Sequence, residues 1–295
     1  MSDDNRRLDQ DDLDDLEIHD DAIIGKAFMW SMVVFGGIGV VGLAMWAVFA
    51  LQHEDEAKIL EKVIRPPQTL VADVAVLPDV RFADITKQAG FDTPHVSGAE
   101  GGKLLPETMG GGAAFLDVDN DGDQDLLLAS GQWWPGSARA GEAVASRLYL
   151  NDGSGQFAWA GPAWDIGAGV YGTGLAVGDW DADGLVDVFL GAVGGDRLYR
   201  NTGQGFEDVT EAAGVAGDAA AWTSSPAFLD VDGDSDLDLF VPRYVKWSAE
   251  KDEALNFTLN GTDRAYGPPK QYEGTVSALW LNEGDGTFTD ASERA

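Results

Sequence analysis

From Ala27 to Leu51 the chain carries no charge, and Ser31 is the single overtly polar residue in that stretch. At about 1.5 Å per residue such a helix reaches roughly 37 Å, enough to cross a hydrocarbon layer of about 30 Å with some tilt. Trp30 and Trp46 fall about 24 Å apart on it, a spacing that suits the two interfacial belts. The pattern predicts a membrane helix over 22–51. A cleaved leader would be shorter and would end at small residues, whereas His53-Glu54-Asp55-Glu56 follows here. The expectation is therefore a retained single-span anchor. Glu54/Lys58 and Glu61/Arg65, each four apart, predict that the helix runs on for a few turns. Pro66-Pro67 stops it, so 52–80 reads as a juxtamembrane helix and then an extended linker.

Beyond Phe82 the pattern changes to short apolar runs that repeat. Three acidic segments share one spacing, with carboxylates at positions 1, 3, 5 and 9: Asp117, Asp119, Asp121 and Asp125; Asp179, Asp181, Asp183 and Asp187; Asp230, Asp232, Asp234 and Asp238. Each follows an apolar or small stretch and precedes a hydrophobic run (Leu126-Leu127-Leu128, Val188-Phe189-Leu190, Leu239-Phe240-Val241), which predicts strand, acidic turn, strand. A second unit recurs as Leu148-Tyr149-Leu150-Asn151, Leu198-Tyr199-Arg200-Asn201 and Leu279-Trp280-Leu281-Asn282. Each copy is followed by two glycines and an aromatic residue, the signature of a β-hairpin. A third unit, Phe82-Ala83-Asp84-Ile85-Thr86, returns at Phe206–Thr210 and Phe288–Ser292. Helical periodicity is weak throughout. The region 81–295 is thus expected to be all-β and modular, with four strands per module.

Charge sharpens the picture. The 295 residues hold 51 acids against 19 lysines and arginines, a net −32. That balance excludes a nucleic-acid partner and favours cations. Residues 1–21 alone carry −8 and read as a solvated acidic tail. The chain has no cysteine, which removes disulfides, thiolate metal sites and a cysteine nucleophile. Four carboxylates within nine residues raise one another's pKa unless a counter-charge is present. A hard divalent cation supplies one. Calcium takes six to eight oxygens, and a turn with carboxylates at 1, 3 and 5, a carbonyl at 7 and a further carboxylate at 9 can wrap it. Asp123 and Asp236 occupy position 7 of the first and third loops and join the candidate ligands. An EF-hand is excluded, because its position-12 glutamate is replaced by Leu128, Leu190 and Val241, inside the expected strands. Magnesium is disfavoured by its strict octahedron. Ser235 stands where the other two loops have glycine, so two to three calcium sites are expected.

These loops resemble the FG-GAP (VCBS-type) repeats of calcium-binding β-propellers. The stretches Phe82–Gly90 and Leu105–Phe115, read with the first acidic loop, are similar to the cartilage-acidic-protein-like family, common in bacteria and often carrying an ASPIC/UnbV domain. The resemblance implies a non-catalytic, secreted or envelope-facing propeller. It departs in two ways: 243–274 lacks the cysteines that relatives often have, and no ASPIC/UnbV domain is visible. About three blades are counted from Phe82 to Phe288, whereas closed rings use four to eight. The expected architecture is an incomplete ring: part of a longer polypeptide, an array completed by a partner chain, or an open arc.

Arg6, Arg7 and Lys26 on one side of the span balance Lys58, Lys62 and Arg65 on the other. The family resemblance breaks the tie: N-terminus cytoplasmic, repeats periplasmic, in a bacterial inner membrane. Gly36, Gly39 and Gly42 form either ordinary membrane-helix composition or a face for another membrane or envelope protein. No phosphate-cradling loop, nucleophile elbow or metalloprotease motif occurs, so no enzyme is expected. The alternative is a carbohydrate-binding or carbohydrate-active propeller. His95, with Glu107 as its possible companion, would be its base, and Trp133, Trp134, Trp159 and Trp164 are candidates for a sugar platform.

Overall fold

The computed structural model describes residues 22–63 and 81–294. The acidic tail of 1–21, the linker over 66–80 and its Pro66-Pro67 stop lie outside the described residues. The chain divides into two compact units between Arg81 and Phe82.

In the first unit, α1 (Ala22–Val63) is one continuous helix. Its stretch Gly25–Phe49 has a mean hydropathy of 2.2 and is long and apolar enough to cross a membrane. The Ser31 hydroxyl donates to the Ala27 carbonyl at 2.8 Å. Its polar group is therefore satisfied inside the helix, as a hydrocarbon surrounding requires. Past Leu51 the helix continues to Val63, through Glu54, Lys58 and Glu61, whereas Arg65, the second member of the Glu61/Arg65 pair, lies outside the described residues.

The second unit is built of antiparallel sheet. Its first meander is β1 (Ala113–Leu116), β2 (Asp125–Leu128), β3 (Arg147–Asn151) and β4 (Phe157–Trp159). The second is β5 (Tyr171–Gly178), β6 (Asp187–Val193), β7 (Arg197–Asn201) and β8 (Phe206–Asp208). After the single turn of α2 (Thr210–Ala213) come β9 (Ala221–Thr223), β10 (Ala227–Leu229) and β11 (Asp238–Val241). An insertion holding β12 (Arg243–Lys246), α3 (Ala249–Leu255) and β13 (Glu273–Gly274) precedes β14 (Ala278–Asn282) and β15 (Phe288–Asp290). Strands β10, β11, β14 and β15 form the third meander, while β9, β12 and β13 extend the second sheet to seven strands.

The repeats fix the register. In each meander the residue before the acidic loop faces its last aspartate: Leu116 opposite Asp125, Gly178 opposite Asp187, Leu229 opposite Asp238. The expected hairpins also pair identically, Asn151 with Phe157, Asn201 with Phe206 and Asn282 with Phe288. The three meanders are three blades in series.

Alternation along each strand then decides the packing. Leu116, Val118, Leu127 and Leu148 leave the first blade on one face and meet Val188 and Leu190 of the second. Phe189 and Leu198 leave the opposite face of the second blade and meet Leu239 and Val241 of the third. The insertion covers its own cluster, in which Trp134 stacks on Tyr171 at 4.6 Å and lies beside Trp247.

Asp196, in the turn between β6 and β7, is buried. It accepts from the Ala192 amide at 3.0 Å and the Thr223 hydroxyl at 2.9 Å. Burial holds its carboxyl up at about 6, against an ordinary 3.8, although Arg243 and Arg197 pull it back. Because the folded form keeps the proton longer, the stabilising contribution is complete below about pH 4 and disappears as the pH rises through 6. The change is on the order of 3 kcal/mol. Denaturant titrations at pH 4.5 and pH 7 are expected to show a smaller difference for Asp196→Asn than for the parent chain.

Candidate functional site

Each acidic loop is first organised by its own opening aspartate. Asp117 accepts from the amides of Asp121 and Gly122, both at 3.0 Å. Asp179 does the same with Asp183 and Gly184 at 3.0 and 2.9 Å, and Asp230 with Gly233 and Ser235 at 2.7 and 3.2 Å. The position-5 aspartates accept from position 7: Asp121 from Asp123, Asp183 from Leu185 and Asp234 from Asp236, each at 2.9 Å. Such a tight wrap needs positive φ at positions 4 and 6. The first loop meets it with Asn120 (57°) and Gly122 (94°), the second with Ala182 (56°) and Gly184 (89°), the third with Gly233 (84°) and Ser235 (82°). Sequence reading singled out position 6 and missed position 4. The third loop has moved its glycine rather than lost it. Left-handed backbone at a serine costs about 1 kcal/mol relative to glycine. Ser235→Gly is therefore expected to raise the unfolding free energy by about 1 kcal/mol, read by urea titration.

The closing aspartates behave differently, because all three are buried. One carboxylate oxygen of Asp125, Asp187 and Asp238 accepts from the position-2 amide of its own loop, on Val118, Trp180 and Val231 at 3.0, 3.2 and 2.8 Å. The other accepts from the amide of the third-strand asparagine, on Asn151, Asn201 and Asn282 at 2.8, 2.8 and 2.9 Å. Burial first, then the neighbouring Asp181 and Asp183, push Asp187 up to about 7. Asp125 is raised by the same desolvation, with Asp119 and Asp121 adding to it. Asp181 and Asp232 are raised too.

The asparagines form a device that the sequence marked only as turn residues. The Asn201 amide donates to the Val186 carbonyl in its own loop at 3.3 Å and to the Val118 carbonyl in the preceding loop at 2.8 Å. The Asn282 amide repeats this with Leu237 at 3.2 Å and Trp180 at 2.8 Å. Asn120 adds a bond from the first loop to the Gly184 carbonyl of the second, at 2.9 Å. Successive loops thus lie side by side and are tied together. The constant asparagine in all three Leu-Tyr/Trp-x-Asn copies was the available signal.

Carboxylate oxygens of Asp117, Asp119 and Asp125 lie within 4.8 Å of one another, as do those of Asp179, Asp181 and Asp187, and those of Asp230, Asp232 and Asp234. That is the span of oxygens around one calcium at about 2.4 Å. The donor set is all oxygen and fits a hard cation. Asp121 and Asp183 lie in their loops outside these groups, and Asp238 lies outside the third. Asp123 and Asp236 lean instead against Gly153 and Gly284 in the neighbouring hairpin turns. The third group is fully exposed, whereas each of the others includes a buried aspartate.

His95 and Glu107 are not paired: Glu107 accepts from the Tyr266 hydroxyl at 3.0 Å. His95 lines a cavity of about 420 Å³ with Thr93, Leu128, Arg147 and Tyr149. The tryptophans are engaged in packing. Trp133 lies under Arg139, Trp159 under Arg147, Trp164 against Phe206, and Trp134 sits in the cluster beneath the insertion.

Against known proteins, a model of the FG-GAP-like repeat matches residues 117–190 and again 179–241. Each match opens on the first aspartate of an acidic loop and closes on the strand that follows the next loop. No curated protein is detectably similar to the chain.

Proposed function

We propose that this chain, whose soluble unit carries FG-GAP-like repeats, is a membrane-anchored, calcium-stabilised, extracytoplasmic propeller-type module that binds or scaffolds another protein without catalysis. The carrying observation is the threefold convergence of carboxylate oxygens within 4.8 Å in strand-joining turns. A bound calcium supplies positive charge there and joins both ends of each turn. Asp117, Asp119 and Asp125 would hold one ion, Asp179, Asp181 and Asp187 a second, and Asp230, Asp232 and Asp234 a third. The apolar helix serves as the anchor, with the repeats on the periplasmic side of a bacterial inner membrane. The Phe82–Gly90 and Leu105–Phe115 stretches favour the cartilage-acidic-protein-like branch. Calcium titrated into the metal-stripped protein is expected to bind as two to three ions per chain, read by calorimetry. Heat no greater than that of buffer dilution would end this reading.

A second reading, carbohydrate binding, has the cavity beside His95 in its favour, because the buried Tyr149 hydroxyl on its wall has no hydrogen-bond partner. A glycan screen that does not distinguish Arg147→Ala from the parent chain would remove it.

A further inference from the structure

The three closing aspartates belong to one hydrogen-bonded path. Asp125 accepts from the Val118 amide, and the Val118 carbonyl accepts from the Asn201 side chain. The Asn201 amide donates to Asp187, whose other oxygen accepts from the Trp180 amide. The Trp180 carbonyl accepts from the Asn282 side chain, and the Asn282 amide donates to Asp238. Every link is between 2.8 and 3.2 Å long. Each residue on the path is at most 5 % exposed, so water does not compete for these bonds and they are strong.

The path crosses the acidic loops at their oxygen-bearing stretches. Val118 lies between Asp117 and Asp119, and Trp180 between Asp179 and Asp181. Asn120, between Asp119 and Asp121, adds its bond to the Gly184 carbonyl at 2.9 Å, on a residue whose amide is held by Asp179. The first seam thus carries two side-chain ties and the second, among the described residues, one.

We infer that this path couples calcium binding at neighbouring loops, so that filling the Asp117 loop raises the affinity of the Asp179 loop, and the reverse. The inference rests on the calcium reading above and adds its regulation. An empty loop must give up main-chain freedom to bring its carboxylates together. Asp117 and Asp119, once drawn together, hold the Val118 main chain from both sides and keep its carbonyl in line with Asn201. The Asn201 amide in turn fixes Asp187, a candidate ligand of the next loop. Part of the order that the Asp179 loop needs is then in place before its own ion arrives, and binding to an ordered site is tighter. Linkage makes the effect equal in both directions. The second seam should couple more weakly, because its single tie ends at Asp238, outside the oxygen group of the third loop. Charge acting through space predicts the opposite sign. A loop emptied of its divalent cation is more negative and draws calcium to its neighbour. The sign of the coupling therefore separates the two causes.

The test is hydrogen exchange at 117–125, 179–187 and 230–238 of the full-length protein in detergent, followed as calcium is titrated into the metal-stripped chain. Each loop then reports its own calcium midpoint. Asp119→Asn, which weakens the first loop, is expected to raise the midpoint of 179–187 about fivefold, the lower end of common coupling, and that of 230–238 by less. Asp181→Asn should raise the midpoint of 117–125 by the same factor. Asn120→Gly removes one tie at an exposed position whose φ is 57°, where glycine is unstrained, so the fold is kept. It should shrink the response of 179–187 to Asp119→Asn, and Asn120→Gly with Asn201→Ser should abolish it. A midpoint of 179–187 that stays or falls in Asp119→Asn, or a rise that Asn120→Gly leaves unchanged, would overturn the inference and leave the calcium reading standing. Loops that gain no protection from calcium would overturn both.

Discussion

Asp187→Ala is expected to lower the melting temperature by roughly 10 °C even with calcium removed. Both oxygens of this buried carboxylate accept backbone amides, from Trp180 and from Asn201. Truncation leaves two interior N–H groups without acceptors, at about 1–3 kcal/mol each. A loss of about 4 kcal/mol in a module of this size corresponds to roughly 2–4 °C per kcal/mol. The raised carboxyl of Asp187, at about 7, does not remove the effect, because a protonated carboxyl still retains acceptor capacity. Asp119→Asn is the control. Asp119 is exposed, so its replacement should leave the calcium-free melting temperature unchanged and reduce only the gain on adding calcium. Scanning calorimetry of both variants in chelator and in calcium separates the two contributions. Equal melting of Asp187→Ala and parent in chelator would show that the buried carboxylate does not carry the joint.

The larger shift is expected from calcium itself. An ion that binds only the folded chain stabilises it by RT ln(1 + [L]/Kd), about 4 kcal/mol per site at a thousandfold excess over Kd. Two loops filled to that extent would move the melting temperature by roughly 20 °C. The Asp117 and Asp179 loops, each closed by a buried aspartate within its oxygen group, are expected to account for most of the gain. The exposed Asp230 group should contribute less. Asp230→Asn should therefore reduce the shift less than Asp179→Asn does. Melting curves that coincide in millimolar calcium and in chelator would refute structural ions at all three loops.

Much of the blade architecture was legible because the chain states it three times. Strand, acidic loop and hairpin recur with the same spacing, but the runs Leu126-Leu127-Leu128 and their counterparts are apolar throughout, so only the packing of neighbouring blades tells which side chain takes which face. The insertion after β11 was not legible. Its strands β12 and β13 are short and occur once; β12 pairs with β9 across the second sheet, and β13 pairs with β12 at the sheet edge. At the loops, the carboxylate spacing was plain, but the division of labour was not. Position 9 differs from positions 1, 3 and 5 only through burial by β2, β6 or β11, a tertiary effect that spacing does not encode. The reach of Asn201 and Asn282 into the preceding loop likewise depends on blade order, which becomes visible only when adjacent sheets are stacked.

Those reaching asparagines bear on how the module comes apart. Bonds from Asn201 to Val118 and from Asn120 to Gly184 span the first seam, and a bond from Asn282 to Trp180 spans the second, so no blade can fray at its loop without disturbing the next. Fluorescence from Trp164, in the turn after β4, and from Trp280, in β14, should then report a single shared melt, and limited proteolysis should yield intact chain or small fragments, with no lasting two-blade core.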